Sequence, residues 1–342
     1  MLIDWTEHGY VPDAVIRQGV RRLLRDRLAE LEHPDCARHA AYVQDFVRAM
    51  RAGPIAISPH KANEQHYEVP AEFFGHVLGP HRKYSSCFWP EGAATLAAAE
   101  EAALAVTCER AGIEPGMSVL ELGCGWGSLT LWMAERFPTC SIVAVSNSVS
   151  QRQHIVGEAE RRGLRNVEVI TADMNSYYAF GTFDRVVSIE MFEHMRNYAA
   201  LMRAISQWLA PRGRFFLHIF CHRDTPYEFL DRGPDDWMSR HFFSGGIMPS
   251  DELPLLFQED LHLVERWRWN GRHYAATSNA WLANLDSNRE AVWPILERTY
   301  GVAEAQRWFM RWRIFFIACA ELFGCEGGER WWVSHYLFDR TA

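Results

Sequence analysis

The chain has 342 residues, 48% of them apolar and 23% charged, with a net charge of −8. That is the composition of a globular protein with room for one large domain or two modest ones, and the negative balance argues against a general affinity for nucleic-acid phosphates. The eight cysteines contain no C-x-x-C pair, and a chain of this size needs no disulfide staples, so reduced thiols and a cytoplasmic location are expected.

Residues 1–10 carry Asp4, Glu7 and His8 where a secretory signal would have a basic start and an apolar core. Residues 13–31 place Ile16, Val20, Leu23, Leu24, Leu28 and Leu31 at three- and four-residue steps, which predicts an amphipathic helix. Arg17, Arg21, Arg22, Arg25 and Arg27 lie off that stripe, interspersed with Asp26, Glu30 and Glu32, and read as a solvated face rather than a membrane-binding one. A second helix over 42–51 ends at Gly53-Pro54, so residues 1–60 form a helical extension. Helical spacing over 66–79 leads to a loop containing Tyr84-Ser-Ser-Cys-Phe-Trp89, then an alanine-rich helix over 95–111.

Pro115-Gly116 turns the chain into Val119-Leu-Glu-Leu-Gly-Cys-Gly-Trp-Gly127: an apolar run, a carboxylate, and glycines at alternate positions, with a helical pattern following over 129–137. Strand, glycine turn and helix in that order bring backbone close to a nucleotide-like ligand, because glycine has no Cβ to obstruct the approach. Further strand-like runs fall at 141–146, 167–171, 185–189 and 214–219, separated by helical segments such as 150–162 and 198–209. This alternation predicts an α/β fold with a mostly parallel sheet covered by helices on both faces. After Phe220 the pattern breaks into an aromatic, proline- and glycine-rich stretch, read as a lid-like insertion at about 221–280, before helix returns at 278 and a last strand forms at 333–338. The run 314–323 contains Glu321 and is too short to span a bilayer, so no stable membrane insertion is expected.

The glycine turn does not suit a dinucleotide. Its third glycine comes one residue early, and the second strand ends Val145-Ser146-Asn147-Ser148 without the acid that would hold a ribose. A P-loop signature is absent as well. Leu120-Glu-Leu-Gly-Cys-Gly-Trp-Gly127, Ser146-Asn-Ser-x-Ser-Gln151 and Ser188-Ile-Glu-Met-Phe-Glu-His194 together resemble the cyclopropane fatty acid synthase superfamily of S-adenosylmethionine-dependent methyltransferases. Within it, the chain is most similar to the coclaurine N-methyltransferase branch. His66-Tyr-Glu-Val-Pro70, Lys83-Tyr-Ser-Ser-Cys87, Trp237-Met-Ser-Arg-His-Phe-Phe243, Asn270-Gly-Arg-His-Tyr274 and Phe315-Phe-Ile-Ala-Cys-Ala-Glu-Leu-Phe-Gly324 carry the resemblance further along the chain.

The resemblance implies a class I methyltransferase, Rossmann-like fold with a mostly parallel seven-stranded sheet over 61–342 and S-adenosylmethionine across the strand C-termini. It implies that Tyr84 and Ser85 approach the methionine part, that Gly123 and Gly125 contact the cofactor through backbone, that Asn147 and Gln151 lie by the ribose and adenine, and that Asp173 and Met174 flank the adenine. Glu121 either accepts hydrogen bonds from the glycine turn or touches the ligand.

Amine methylation and lipid cyclopropanation share the scaffold, so the fold cannot choose between them. The lipid enzymes build a bicarbonate pocket that removes a proton from a carbocation, with a cysteine after Tyr-Ser and a glycine before Met-Phe-Glu-His. Here those positions are Ser86 and Glu190, and an aliphatic position has become Phe220, while Glu193, His218 and Tyr274 are retained. A carboxylate beside an alkene gains nothing and is costly to desolvate, whereas an ammonium acceptor is attracted and oriented by it. Glu190, Glu193 and His194 would cluster if the segment were helical, giving a carboxylate to bind the amine, a second to orient the imidazole and a histidine to take the proton. His218-x-x-Cys221-His222 and Glu190-x-x-Glu193-His194 lack the accompanying cluster of a metal site, so no metal is expected. His218, Phe220, Trp237, Phe242, Tyr274, Glu321 and Trp331, with Phe243 and Trp332, are the candidates for an aromatic substrate pocket that could also hold a cation over a ring face.

The sequence therefore reads as an S-adenosylmethionine-dependent N-methyltransferase for a small arylalkyl or heterocyclic amine, with a homodimer left open. The alternatives are an enzyme forming cyclopropane or methyl-branched acyl chains, and a non-catalytic S-adenosylmethionine-binding module.

Overall fold

The computed structural model describes residues 2–57, 69–231, 233 and 236–340, and its centre is the strand that ends in the glycine turn. In β1 (Ser118–Leu122) the residues Val119, Leu120 and Leu122 are all fully buried. An apolar run without alternation is what a strand covered on both faces requires. β1 lies between β2 (Ser141–Ser146) and β4 (Phe183–Ile189), with β3 (Val167–Thr171) beyond β2 and β5 (Leu209–His222) beyond β4, every pair parallel. β9 (Trp331–Arg340) pairs antiparallel with both β5 and β8 (Leu261–Trp269), giving the order β3-β2-β1-β4-β5-β9-β8 in a seven-stranded sheet.

The crossover helices are fixed by their ends. α5 (Leu96–Ala111) starts where the Thr95 hydroxyl accepts the Ala98 N–H at 3.2 Å, and it stops at Gly112 in the left-handed region. α7 (Val149–Arg162) repeats the device with Ser148 and Gly163. α6 (Ser128–Arg136) and α8 (Tyr198–Trp208) complete the covering. The strand order reverses between β1 and β4, so a crevice opens beyond their C-termini, the usual ligand position in such sheets. The glycine turn leaves β1 on one side of that crevice, and Glu190 leaves β4 on the other.

The extension folds onto this core. α1 (Leu2–Glu7), α2 (Asp13–Leu31) and α3 (Cys36–Ala52) precede α4 (Ala71–Val77), which is shorter than the helix expected over 66–79 because Val69, Pro70, Leu78 and Gly79 lie outside it. His66, Tyr67 and Glu68 of the quoted motif lie outside the described residues. α2 buries Ile16, Leu28 and Leu31, and it meets α12 (Ala305–Gly324), which follows α11 (Arg289–Tyr300). Its basic face is not uniformly solvated as expected. Arg22 and Arg25 are exposed, but Arg17 and Arg21 both donate to the Glu321 carboxylate, whose side chain is only 9% exposed. A carboxylate so placed is stable only with partners, and two guanidiniums supply them.

The segment expected as a lid at 221–280 is composite. β6 (Tyr227–Glu228) and β7 (Ile247–Met248) form a small antiparallel ribbon around α9 (Trp237–His241). β8 belongs to the main sheet instead, and α10 (Arg272–Ser287) begins within the same range. No helix among the described residues is long and apolar enough to cross a membrane.

Candidate active site

The glycine turn is held to the sheet by two backbone donors: the N–H groups of Gly123 and Cys124 both reach the Val145 carbonyl, at 2.9 and 3.0 Å. Gly123 has φ +78°, and a Cβ there would meet the Met191 side chain at 2.7 Å. Gly125 also has positive φ (+53°), but a Cβ there would meet nothing within 4 Å. Its α-carbon therefore faces open space. Packing dictates the first glycine, while the second bares backbone to a cavity.

That cavity is lined by Gly123, Gly125, Asn147, Gln151, Asp173, Met174, Glu190 and His194, together with Ala56 from the extension and Ser244 and Gly245 from the lid. Ser146 Oγ accepts the Ser148 N–H at 3.0 Å and donates to Gln151 Oε1 at 2.6 Å. This fixes the amide orientation and leaves Gln151 Nε2 buried with no hydrogen-bond partner among the described residues. A buried donor without an acceptor indicates one supplied by a ligand. The adjoining cavity shares Gly123, Gly125 and Glu190 and adds Lys83, Tyr84, Ser85, Glu121 and Ser128, whose hydroxyl is likewise buried and unpartnered. Every residue expected to hold the cofactor thus lines one continuous space, and S-adenosylmethionine fits it: backbone is bared at Gly125 and free donors stand at Gln151 and Ser128. Glu121 does not brace the glycine turn. Its Oε2 accepts from Thr130 Oγ1, and burial pushes its carboxyl up to about 8.

Sequence reasoning assigned no role to Lys83 or Glu100. Glu100 is fully buried and accepts the N–H groups of Gly79, His81 and Lys83, which ties down the loop carrying Tyr84 and Ser85. Burial raises its carboxyl to about 7, against the pull of those donors and of Lys83. Lys83 is 3% exposed and donates to Ser85 Oγ and Ser86 O, with burial lowering its ammonium. Lys83 directly before Tyr84-Ser85 was the available sign, and it did not specify a direction.

Glu190, Glu193 and His194 come together, but not on an α-helix. Glu190 has φ +48°, and a 3₁₀ turn over Phe192–His194 follows. The left-handed residue swings the first carboxylate back toward the sheet. Ser86 N–H (2.9 Å) and His218 Nε2 (3.2 Å) meet Glu190 Oε1, and Tyr274 O–H donates to Oε2 at 2.7 Å. Burial raises the Glu190 carboxyl, opposed by Lys83 and by these donors. Glu193 contacts backbone: its Oε1 accepts Phe220 N–H at 2.7 Å, and Oε2 is buried without a hydrogen-bond partner among the described residues. Burial beside Glu190 pushes the Glu193 carboxyl well up. The expected orientation of the imidazole by Glu193 has no support in these contacts. His194 is half-buried, packs on Phe243 with ring centroids 4.6 Å apart, and is lowered by burial to about 4.

Glu190, His194 and Tyr84 also line a third cavity, walled by Phe220, Phe243, Tyr274, Trp281, Phe315 and Phe323. Of the expected substrate residues, Phe220, Phe243 and Tyr274 face it, and His218 reaches it through Glu190. Trp237, Phe242, Glu321, Trp331 and Trp332 lie outside its lining. Phe242 stacks behind Phe315 at 4.5 Å, Trp237 donates its indole N–H to Glu7 at 2.7 Å, and Trp331 donates to Tyr227 O–H at 3.2 Å. Glu321 is held by Arg17 and Arg21. These residues build the wall from behind, a distinction that side-chain type alone does not reveal.

The chain is similar to known proteins in both sequence and fold. The family model for mycolic acid cyclopropane synthetase matches residues 56–328. The (S)-coclaurine N-methyltransferase of Thalictrum flavum subsp. glaucum is 37% identical over 99% of this chain and 95% of its own. A crystal structure of coclaurine N-methyltransferase bound to N-methylheliamine and SAH superposes with a TM-score of 0.95 and 39% identity, covering 99% of this chain and 98% of that one. The cyclopropane-fatty-acyl-phospholipid synthase of Escherichia coli K12 is 30% identical over 79% of this chain and 66% of its own.

Proposed function

The chain belongs to the mycolic acid cyclopropane synthetase family and is an S-adenosylmethionine-dependent methyltransferase, and on that premise we propose that its methyl acceptor is the nitrogen of a small aryl-bearing amine. The observation that carries this reading is the Glu190 carboxylate. In the lipid-modifying pattern, His218 and Tyr274 belong to a pocket for bicarbonate. Here both point at the chain's own carboxylate, joined by Ser86 N–H. The three donors are taken by the chain's own carboxyl group, which lines the mouth of an aromatic cavity.

A carboxylate has about four lone-pair sites. Three are taken, so Glu190 Oε2 keeps one for the N–H of an ammonium. An alkylamine is mostly protonated at neutral pH, with a pKa near ~10. Attraction to Glu190 orients it, and the faces of Tyr274 and Phe220 add a cation–π contribution of about 1 kcal/mol. The apolar, aromatic lining suits an acceptor that carries an aryl ring. The cofactor supplies an electrophilic methyl on its sulfonium. This chain must remove one proton from the bound ammonium, and His194 is its candidate base: it lines both the cofactor and the acceptor cavities, and burial keeps it neutral at pH 7. Glu193, pushed toward its protonated form, braces the turn through Phe220.

The eight free thiols fit a reducing compartment, and we place the enzyme in the cytoplasm on that ground. Heliamine and coclaurine are suitable probes. Glu190→Gln keeps the shape and removes the charge, and it should raise the amine KM at least about tenfold with S-adenosylmethionine binding retained. An unchanged amine KM would remove the ammonium-binding role.

A further inference from the structure

The donor that His218 offers to Glu190 is the last step of a longer line. His218 on β5 and His335 on β9 are paired across the two strands, with ring centroids 4.6 Å apart. His335 Nε2 lies 2.9 Å from His218 Nδ1, and His335 Nδ1 lies 2.8 Å from Arg110 Nη1 on α5. Both imidazoles are fully buried, with Trp269 edge-on to each. The Arg110 guanidinium is itself held over the rings of Trp267 and Trp269, at 5.2 and 5.7 Å.

An arginine can only donate. His335 Nδ1 must therefore accept, which puts the His335 proton on Nε2. That proton is donated to His218 Nδ1, so the His218 proton sits on Nε2 and is donated to Glu190 Oε1. One obligate donor at the far end settles every tautomer along the line. Burial, with Lys83 and Arg110 nearby, lowers both histidines well below their ordinary range, so neither gains a second proton near neutral pH.

We propose that His335 and Arg110 are positioning residues for methyl transfer, locking the His218 tautomer so that a hydrogen always faces the Glu190 carboxylate. Without the lock, His218 can turn a lone pair toward Glu190, and two facing acceptors repel. The carboxylate then either shifts or takes a proton, and an ammonium loses its anchor. The other groups facing Glu190 are Lys83, Tyr84 and Cys87 from the loop before α5, Tyr274 from α10, Cys319 from α12, and His194 and Glu193 from its own turn. Those facing His335 are His218, Arg110 and Lys83.

The inference rests on Glu190 as the amine-binding group, and two variants separate it from that reading. His335→Phe keeps the ring volume and removes both hydrogen bonds. With heliamine as acceptor, it should raise the amine KM about tenfold while leaving S-adenosylmethionine affinity unchanged. Loss of a donor to a carboxylate raises its pKa, so the acid limb of kcat/KM should move up by about one pH unit. His335→Gln, whose amide can donate to His218 and accept from Arg110, should restore most of both. Arg110→Met tests the same line from its half-exposed end, and it decides the matter alone if His335→Phe does not fold: a smaller shift in the same direction is expected. Wild-type KM and wild-type acid limb in a folded His335→Phe or, failing that, in Arg110→Met would overturn the relay. If Glu190→Gln itself leaves the amine KM unchanged, the amine reading has failed rather than the relay.

Discussion

Glu190 occupies a conformation that a side chain rarely adopts: its φ of +48° costs on the order of 1–2 kcal/mol relative to glycine. Three donors aimed at its carboxylate offset that strain, and they remain if the carboxylate is removed. Glu190→Gly should therefore fold, lose most amine methylation, and leave a pocket of unsatisfied donors for a small carboxylate. Added formate should then restore turnover roughly tenfold, measured as N-methylated product; absence of any formate effect would mean that the pocket collapses. His194 is a separate case. With its pKa lowered to about 4 it is a ready acceptor at pH 7, and only below that value does protonation disable it. His194→Ala should reduce kcat by about 10²–10⁴-fold at pH 7, with partial recovery toward pH ~10 as the free amine becomes abundant. Full activity at pH 7 would dismiss it as the base. Both residues stood out in the sequence as candidates, but their arrangement did not, because a positive φ at Glu190 leaves no periodic trace.

At the scale of elements, the extension acts as a brace for the acceptor cavity. Glu7 at the end of α1 accepts the Trp237 indole N–H and an Arg311 N–H, linking α1 to α9 and α12. Met238 and Phe243, beside Trp237, line the acceptor cavity. Glu7→Gln should loosen this lid and raise the amine KM several-fold, while leaving S-adenosylmethionine binding alone. Equal losses for both ligands in a titration would point to general unfolding. Glu321 pins α2 onto α12. Burial alone would raise its carboxyl, but hydrogen bonds from Arg21 and Arg17 outweigh burial and hold it below 4.5. A folded-state pKa below the unfolded one adds stability above the unfolded value, and the gain is lost as pH falls through the folded one. Thermal unfolding of Glu321→Gln should thus show a deficit of about 1 kcal/mol near pH 7, shrinking below pH ~4.5. The deficit should not vanish on the alkaline side. β8 escaped sequence reading for a physical reason. Its register shifts between Leu263 and Glu265, and that irregularity breaks the alternation that would mark an edge strand.

For the whole molecule, the parallel strands were readable because burial on both faces demands unbroken apolar runs, and Pro, Gly and cap residues mark the helix ends between them. The glycine turn was readable for a related reason: a Cβ at Gly123 would collide with Met191, and Gly125 bares backbone to the cavity. The acceptor cavity was not, since Phe220 and Phe242 are chemically alike and only packing sends one inward and the other behind. The family resemblance narrowed the reaction to two acceptors, carbon or nitrogen, and we propose that the Glu190 side chain selects between them. The decisive measurement offers both acceptors to one enzyme: methyl-labelled S-adenosylmethionine incubated with heliamine and with vesicles of unsaturated phospholipid. The label should appear on the amine nitrogen, with none in the acyl chains. Label in the acyl chains, with the amine untouched, would contradict the account.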